Sequence, residues 1–410
     1  MFNKIRFLTL FHSLVLCSLA LMTTNVLAND IIAVPTQPQP LTITPGTPTI
    51  DAKGYILIDA DSGKILAENN SNEHMAPASL TKLMALYIIS SALKNGSVHS
   101  DDKVRISTKA WKTDGSRMFV KAGDEVPLKD LLQGVIVASG NDATVALAEY
   151  IAGTEEAFTD MMNFQAKNLG MLNSHFVDST GLPNPEQYSS PHDLAILAQA
   201  ITKNFPEDYR LFSQKWFIYN GIRQPNRNRL LWRFQYADGL KTGHTTDAGF
   251  CLVSSAVNNN TRLISVIMGA PSDQVRTEDS IRLLTFGFRF FETHKLYKTN
   301  SPVIQARVWK GQLKETPLGL KDDLYITVPT GSYKHILAKI HLKNPIQAPI
   351  TQGQTIGTLE ITLGNQVLAS RPLIALKANA PGGFWRRLSD SFSYSFDKIF
   401  TRHNETANNG

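Results

Sequence analysis

The sequence predicts a multi-domain chain: an α/β domain with an antiparallel sheet and a helical cluster, an all-β sandwich domain, and a C-terminal amphipathic helix. Three observations carry that reading. Apolar runs suited to strands flank a long helical stretch, at 55–67 before it and 249–269 after it. Short β runs separated by turn residues fill 296–380 with no sustained helical period. Aromatic and aliphatic residues then recur at helical spacing beyond Pro381. A length of 410 residues leaves room for two domains, and 42% apolar with 19% charged residues describes an ordinary globular chain. The formal charge of +6 is mild and forms no basic stripe, which argues against nucleic-acid binding.

Residues 1–28 have the form of a secretory signal peptide. Lys4 and Arg6 precede the apolar run 7–26, and Val26-Leu27-Ala28 offers a small-residue cleavage site. Cys17 lies inside this segment, so Cys251 is the single cysteine of the mature chain. One cysteine makes neither an intrachain disulfide nor a multi-cysteine metal site. No metal and no cofactor is expected. Export without disulfides suits a bacterial envelope protein held by its core. Residues 29–49 hold Pro35, Pro38, Pro40, Pro45 and Pro48 and read as an extended leader.

The catalytic domain is expected over 50–293. Residues 55–60 and 64–67 flank Asp61-Ser62-Gly63 and predict a hairpin. A helix is expected from Ser79 to Lys94, stopped by Asn95-Gly96. Helical periods follow at 128–137 and 141–151, at 154–169 with Thr154 as N-cap and Gly170 as stop, and at 191–204. Strands at 249–257 and 262–269 and a helix at 278–293 close the domain. This order suggests one antiparallel sheet built from both ends of the domain around a helical insertion. In the sandwich domain, 294–380, strands are expected at 303–308, 324–328, 336–342, 356–363 and 367–376. In 381–403, Phe384, Trp385, Leu388, Phe392, Phe396, Ile399 and Phe400 share helical spacing with Arg386, Arg387, Lys398 and Arg402. The stretch is too short and charged to span a bilayer, and it suits the interface of an anionic membrane.

The chemistry centres on Ser79 and Lys82. An i,i+3 spacing stacks both side chains on one helix face. A lysine takes a serine's proton only if burial or a nearby cation lowers its pKa, and Lys241 is the expected cation. The helix start adds free backbone N–H groups and a favourable dipole. Alone the pattern is weak, since Ser91/Lys94, Ser100/Lys103 and Ser395/Lys398 repeat it. Two further motifs follow in order. Ser139-Gly140-Asn141 sits on a loop between helical periods and presents a hydroxyl with an amide. Lys241-Thr242-Gly243 precedes the apolar strands, and strand alternation puts Lys241, Gly243 and Thr245 on one face. Glycine there lets a substrate backbone come close. Each motif alone is a common polar turn.

Taken together, Ser-x-x-Lys, Ser-x-Asn and Lys-Thr-Gly resemble the signature of the active-site serine penicillin-binding proteins and serine β-lactamases. Tyr55-Ile-Leu-Ile-Asp, Pro77-Ala-Ser-Leu-Thr-Lys, Ser139-Gly-Asn-Asp-Ala, Lys241-Thr-Gly-His-Thr, Leu284-Thr-Phe-Gly-Phe-Arg-Phe-Phe-Glu-Thr and the tail extend the likeness over nearly the whole mature chain. The sequence is most similar to the low-molecular-mass D-alanyl-D-alanine carboxypeptidases of the penicillin-binding protein five/six type. That resemblance implies a penicillin-binding/β-lactamase-like catalytic domain, a β-sandwich stalk and a membrane-lying tail. It implies removal of the terminal D-alanine from peptidoglycan pentapeptide, acylation by β-lactams, and a place at the periplasmic face of the inner membrane. Ser79 is then the nucleophile and Lys82 its base. Ser139 and Asn141 relay protons and position substrate. Lys241, Thr242 and Thr245 meet the substrate carboxylate beside Gly243, with Arg276 near the terminal carboxylate. The N–H groups of Ser79 and His244 form the oxyanion hole. The His244 side chain lacks an obvious orienting acid and reads as structural or substrate-lining. Cys251 reads as a small core residue.

Alternatives on the same fold are a β-lactamase, a peptidoglycan endopeptidase and a non-enzymatic envelope scaffold. No Glu-x-x-Leu-Asn segment lies between Asn141 and Lys241, against a class A β-lactamase. A stalk and tail suit neither that enzyme nor an endopeptidase, and three intact motifs argue against a scaffold.

Overall fold

A central sheet joins the two ends of the first domain in the computed structural model, which describes residues 46–391. The expected signal peptide, most of the leader, and Phe392, Phe396, Ile399 and Phe400 of the tail lie outside the described residues. Strands β1 (Gly54–Asp59) and β2 (Ile65–Asn69) form the predicted hairpin. Its turn is closed by Asp59, whose Oδ1 accepts from the Ser62 N–H at 2.7 Å and from Ser62 Oγ at 2.8 Å. The remaining strands come from far along the chain: β3 (Ala237–Thr245), β4 (Gly249–Asn258) and β5 (Thr261–Ala270). The order is β2-β1-β5-β4-β3, with every pairing antiparallel.

Both faces of this sheet are covered, which explains its near-continuous apolar runs. Ile56 and Ile58 pack into the helical cluster, while Leu57 between them joins Leu263, Ile267, Leu283 and Leu284 on the opposite face. The helical side contains α1 (Lys82–Lys94), α2 (Asn141–Ala152), α3 (Glu155–Leu169) and α4 (Pro191–Asn204). Helix α1 is buried almost all round, as its unbroken run Leu83–Ile89 requires. Thr154 and Ser190 cap α3 and α4 by accepting from the N–H groups of Ala157 and Asp193. Gly170 ends α3 in the left-handed conformation.

Helix α5 (Asp273–Phe290) covers the other face. It begins and ends earlier than the expected 278–293. Ser272 caps it by accepting from the Val275 N–H, and Phe291 turns extended into a strand, β6 (Phe291–Tyr297). The sandwich strands follow: β7 (Pro302–Arg307), β8 (Glu315–Gly319), β9 (Leu324–Pro329), β10 (Ile336–Leu342), β11 (Thr355–Leu363) and β12 (Gln366–Ala375). Strand β6 pairs with β9, so tertiary partners overrode the local helical spacing of 291–293. The second sheet runs β7-β8-β12-β11-β10. Ile326 and Val328 from one sheet pack with Leu318, Leu359, Ile361 and Leu373 from the other. Strand β8 was not among the expected strands; its Pro317 gives the ladder a carbonyl, to the Leu376 N–H, but no donor.

The two domains meet through partly buried hydroxyls. Ser62 Oγ lies 2.6 Å from Thr327 Oγ1, and Thr293 Oγ1 donates to Asp59 Oδ2 at 2.7 Å. Beyond the sandwich, residues 384–391 are helical. Asp390 Oδ2 accepts from the Lys310 N–H at 2.7 Å, while Phe384 and Trp385 face solvent. Among the described residues no helix is long and apolar enough to cross a membrane.

Candidate active site

Ser79 sits in a 3-10 turn, Ala78–Thr81, that runs straight into α1. The turn is entered through Ala78 at φ +48°, a left-handed conformation that a non-glycine residue seldom holds. The loop that carries Thr180, far along the chain, packs against this turn. Gly181, itself at φ +88°, approaches so closely that a Cβ there would lie 1.8 Å from the Ala78 carbonyl oxygen. No other residue fits at that position.

Lys82 opens α1 and is wholly buried. Its Nζ lies 3.0 Å from Ser79 Oγ and donates to the Thr180 carbonyl at 2.5 Å. Thr180 is presented by a turn built on Asp178, whose Oδ1 accepts from the N–H groups of Thr180 (2.6 Å) and Gly181 (2.7 Å). Burial lowers the Lys82 pKa to about 7, with Asp178 opposing, Arg227 assisting and Asp142 opposing. Near neutral pH the amine is therefore available in its neutral form. It keeps a lone pair for the Ser79 proton while an N–H holds Thr180.

A second serine–lysine pair stands beside the first. The helix Leu128–Gln133 continues as a π-helical turn, Gly134–Ala138, and ends at Ser139 with φ +60°. Such strain at a polar residue marks a site that the surroundings hold in place. Ser139 Oγ accepts from Lys241 Nζ at 2.8 Å, and Lys241 also donates to the Thr242 carbonyl at 3.1 Å. Lys241 is buried, and its pKa is pushed well below the usual lysine range by burial first, then by Lys82, Arg227 and Arg276. Asn141 begins α2. Its Nδ2 donates to the Asp114 carbonyl at 2.6 Å, while its Oδ1 is buried without a hydrogen-bond partner among the described residues. Asp142 clamps the loop in front by accepting from the N–H groups of Met118 (2.8 Å), Phe119 (2.9 Å) and Val120 (3.3 Å).

Lys241 was expected to supply the positive charge that lowers the Lys82 pKa. Burial is the chief cause and Arg227 assists, while the repulsion between the two buried amines is felt at Lys241. Arg227 Nε donates to the Ala138 carbonyl at 3.0 Å, one residue before Ser139. Sequence reasoning missed it. Its only mark is a place between Asn226 and Asn228, two buried asparagines that tie the turn.

The strand residues fall as alternation requires. Gly243 faces the turn of Ser79, and a Cβ there would lie 2.9 Å from the Pro77 carbonyl oxygen. His244 is exposed and stacks on Phe250 with ring centres 4.0 Å apart. Thr242 is buried, and Thr245 Oγ1 accepts from the Ala248 N–H at 3.0 Å. Arg276 is buried: it donates to the Gly243 carbonyl (2.9 Å) and the Cys251 carbonyl (3.1 Å), and it pairs with Asp273. It therefore ties the Lys-Thr-Gly strand and its neighbour β4 to the start of α5. Cys251 is in the core, and burial raises its thiol pKa to about 11, so it carries no nucleophilic role. Beside Ala78 and Thr245 opens a groove of about 550 Å³, walled on its far side by Leu182 and Tyr188.

A serine with a buried lysine amine within hydrogen-bond reach, three residues on, is equipped for acyl transfer through a covalent intermediate. Set between an antiparallel sheet and a helical cluster, it defines the class of active-site serine hydrolases with a penicillin-recognising fold. Residues 41–272 match the family model described as D-alanyl-D-alanine carboxypeptidase, and residues 291–380 match that of the penicillin-binding protein 5 C-terminal domain. The chain belongs to the D-alanyl-D-alanine carboxypeptidase family. It is 43% identical over 361 residues to D-alanyl-D-alanine carboxypeptidase DacC of Escherichia coli K12, covering 86% of this chain and 90% of that one. It is similar to the solved penicillin-binding protein 5 of Haemophilus influenzae, with TM-score 0.79, 42% identity, and coverage of 82% of this chain and 99% of that one. The catalytic part is also similar to penicillin-binding protein D2 of Listeria monocytogenes solved in its ampicillin-bound form, with TM-score 0.55, 28% identity, and coverage of 60% and 100%.

Proposed function

We propose that this chain removes the terminal D-alanine from peptidoglycan pentapeptide through an acyl-enzyme on Ser79, and that β-lactams acylate the same oxygen. The observation that carries this reading is the buried Lys82 amine 3.0 Å from Ser79 Oγ. Ser79 Oγ attacks the penultimate carbonyl as Lys82 takes its proton. The N–H groups of Ser79 and His244 receive the developing oxyanion. The proton passes through Ser139, held by Lys241, to the leaving amine, while Asn141 positions the peptide. Water then attacks the ester and regenerates Ser79. Thr242 and Thr245 meet the substrate carboxylate beside Gly243, with Arg276, which bonds the Gly243 carbonyl, near it. Intact mass after penicillin, followed by peptide mapping, tests the assignment. One adduct on Ser79 is expected, and an adduct on Ser91, Ser100 or Ser139 overturns it. A pentapeptide whose terminal carboxylate is amidated should be cut at least about tenfold more slowly, the scale of a lost charge-assisted hydrogen bond. Equal turnover of both forms would remove the carboxylate-reading role.

The domain plan proposed is a signal peptide (1–28), leader (29–49), catalytic domain (50–293), stalk (294–380) and membrane-lying helix (381–403). It places the enzyme at the periplasmic face of the inner membrane. Exposed Phe384 and Trp385 support this, since each buried aromatic gains roughly 1.5–3 kcal/mol in the interface. A chain ending at Ala380 should stay out of the membrane fraction and still cleave small peptides. Membrane attachment of that truncation would move the anchor to residues 7–26.

A further inference from the structure

A patch beside the site has no part in the chemistry at Ser79. Strands Trp216–Tyr219 and Ile222–Pro225 form a short antiparallel hairpin, and a helical turn, Leu230–Arg233, follows it. Phe217 anchors the hairpin in the core, so alternation turns Trp216 and Ile218 outward. Trp216, Ile218, Ile222 and Trp232 are all exposed, Ile218 to 62%. The two indoles meet edge to face with centres 6.1 Å apart. The Arg223 guanidinium stacks 4.1 Å from the Trp216 ring centre, and Lys215 Nζ lies 5.9 Å from that of Trp232. Neither cation forms an ion pair among the described residues. A lone exposed apolar residue is ordinary, but Trp216, Ile218 and Trp232 with two unpaired cations make a contact surface, while Ile222, paired with Tyr219, lies on the other face of the hairpin.

The hairpin and the segment after it are tied to the loops that carry the site. Gln224 Nε2 donates to the Arg117 carbonyl at 3.3 Å, in the loop that holds Asn141, and Arg227 reaches the Ala138 carbonyl beside Ser139. We propose that the patch binds the glycan strand of polymeric peptidoglycan while one of its stem peptides occupies the site. The inference rests on the carboxypeptidase reading above. A reacting stem brings its polymer with it, and that polymer must lie on the protein next to the cleft. Rigid indoles offer broad amphipathic area at small entropic cost and suit the apolar faces of sugar rings. The unpaired cations match the free carboxylates of neighbouring stems.

The test uses the double variant Trp216→Ala/Arg223→Ser, with Ile218→Ser as a milder second variant. D-alanine release is measured on soluble pentapeptide, on disaccharide-pentapeptide and on pentapeptide-rich sacculi, and pelleting with sacculi is measured separately. Penicillin acylation checks folding, and the milder variant carries the test if the double variant fails that check. Release from soluble pentapeptide should stay within about twofold of the parent, while release from sacculi and pelleting should fall about fivefold or more, the scale of a lost aromatic contact. The disaccharide-pentapeptide should fall between. Equal loss on all three substrates, or undiminished action on sacculi, overturns the proposal. So does reduced pelleting with anionic vesicles while sacculus binding is intact. Pelleting does not depend on turnover. It therefore reads the patch even if the parent chain released no D-alanine, which would sink the carboxypeptidase reading instead.

Discussion

Ser79 and Lys82 lie three residues apart on one turn, whereas Ser139 and Lys241 lie 102 residues apart and meet where a helix-to-helix loop and an edge strand converge. Both lysines are buried, both serines sit within 3.0 Å of an amine, and both turns carry a left-handed residue, Ala78 or Ser139. The difference lies in what the amine holds besides its serine. Lys82 reaches across to Thr180, on a loop from elsewhere in the chain, while Lys241 returns to the carbonyl of its own neighbour Thr242. Lys82 is thus oriented by tertiary structure even though its pairing with Ser79 is local. Lys241 is oriented locally although its pairing with Ser139 is tertiary. Equivalent distances therefore do not imply equivalent roles.

The largest effect should separate the two serines. Ser79→Ala is expected to remove the penicillin adduct and to lower D-alanine release by about 10⁴-fold or more, as loss of a nucleophile does. Ser139→Ala should still form the adduct on Ser79, about 10²-fold more slowly, as loss of a proton relay does. Adduct formation rates followed by mass would collapse the distinction if both variants lost the adduct alike.

Lys82→Arg comes next. It keeps the charge but cannot release a proton near neutral pH, so acylation should fall by roughly 10² or more. Stopped-flow acylation by a chromogenic β-lactam measures it, and near-normal rates would pass the base role to another group.

The smallest effect sharpens the electrostatics. Lys82 acts as a base only when neutral, so acylation should rise with pH through about 7 and then level off. Arg227 helps to hold that pKa down. Arg227→Gln should let it rise, moving the limb to higher pH and lowering acylation below the limb about threefold, with the high-pH plateau unchanged. A limb that stays in place would leave burial as the only cause. The same shift has a stability sign. The folded chain holds fewer protons than the unfolded one between about 7 and the ordinary lysine pKa. The cost of the buried amine is therefore full below that window and fades as pH rises through it.

Much of this architecture was legible where local rules act alone. The cap at Thr154, the hairpin around Asp61–Gly63 and the strand Ile336–Leu342 follow from side-chain type and spacing. Legibility failed where a partner elsewhere decided. Phe291–Thr293 have helical spacing yet pair with β9. Glu315–Gly319 contain a proline yet form a strand because β7 and β12 flank them. Arg227 carries no motif, since its effect is a matter of distance through a buried interior rather than of neighbours in sequence.

The sequence by itself determined the family, the three motifs and the order of the layers. Those depend on residue type, on i,i+3 spacing and on apolar period, all of which are written along the chain. Only the tertiary structure decided that burial lowers the Lys82 pKa to about 7, that Arg276 bonds the Gly243 carbonyl, and that Gly181 packs against the turn of Ser79. Desolvation, Coulomb coupling and close packing depend on what surrounds an atom in space, and residues 82, 181, 227 and 276 become neighbours only when the chain folds.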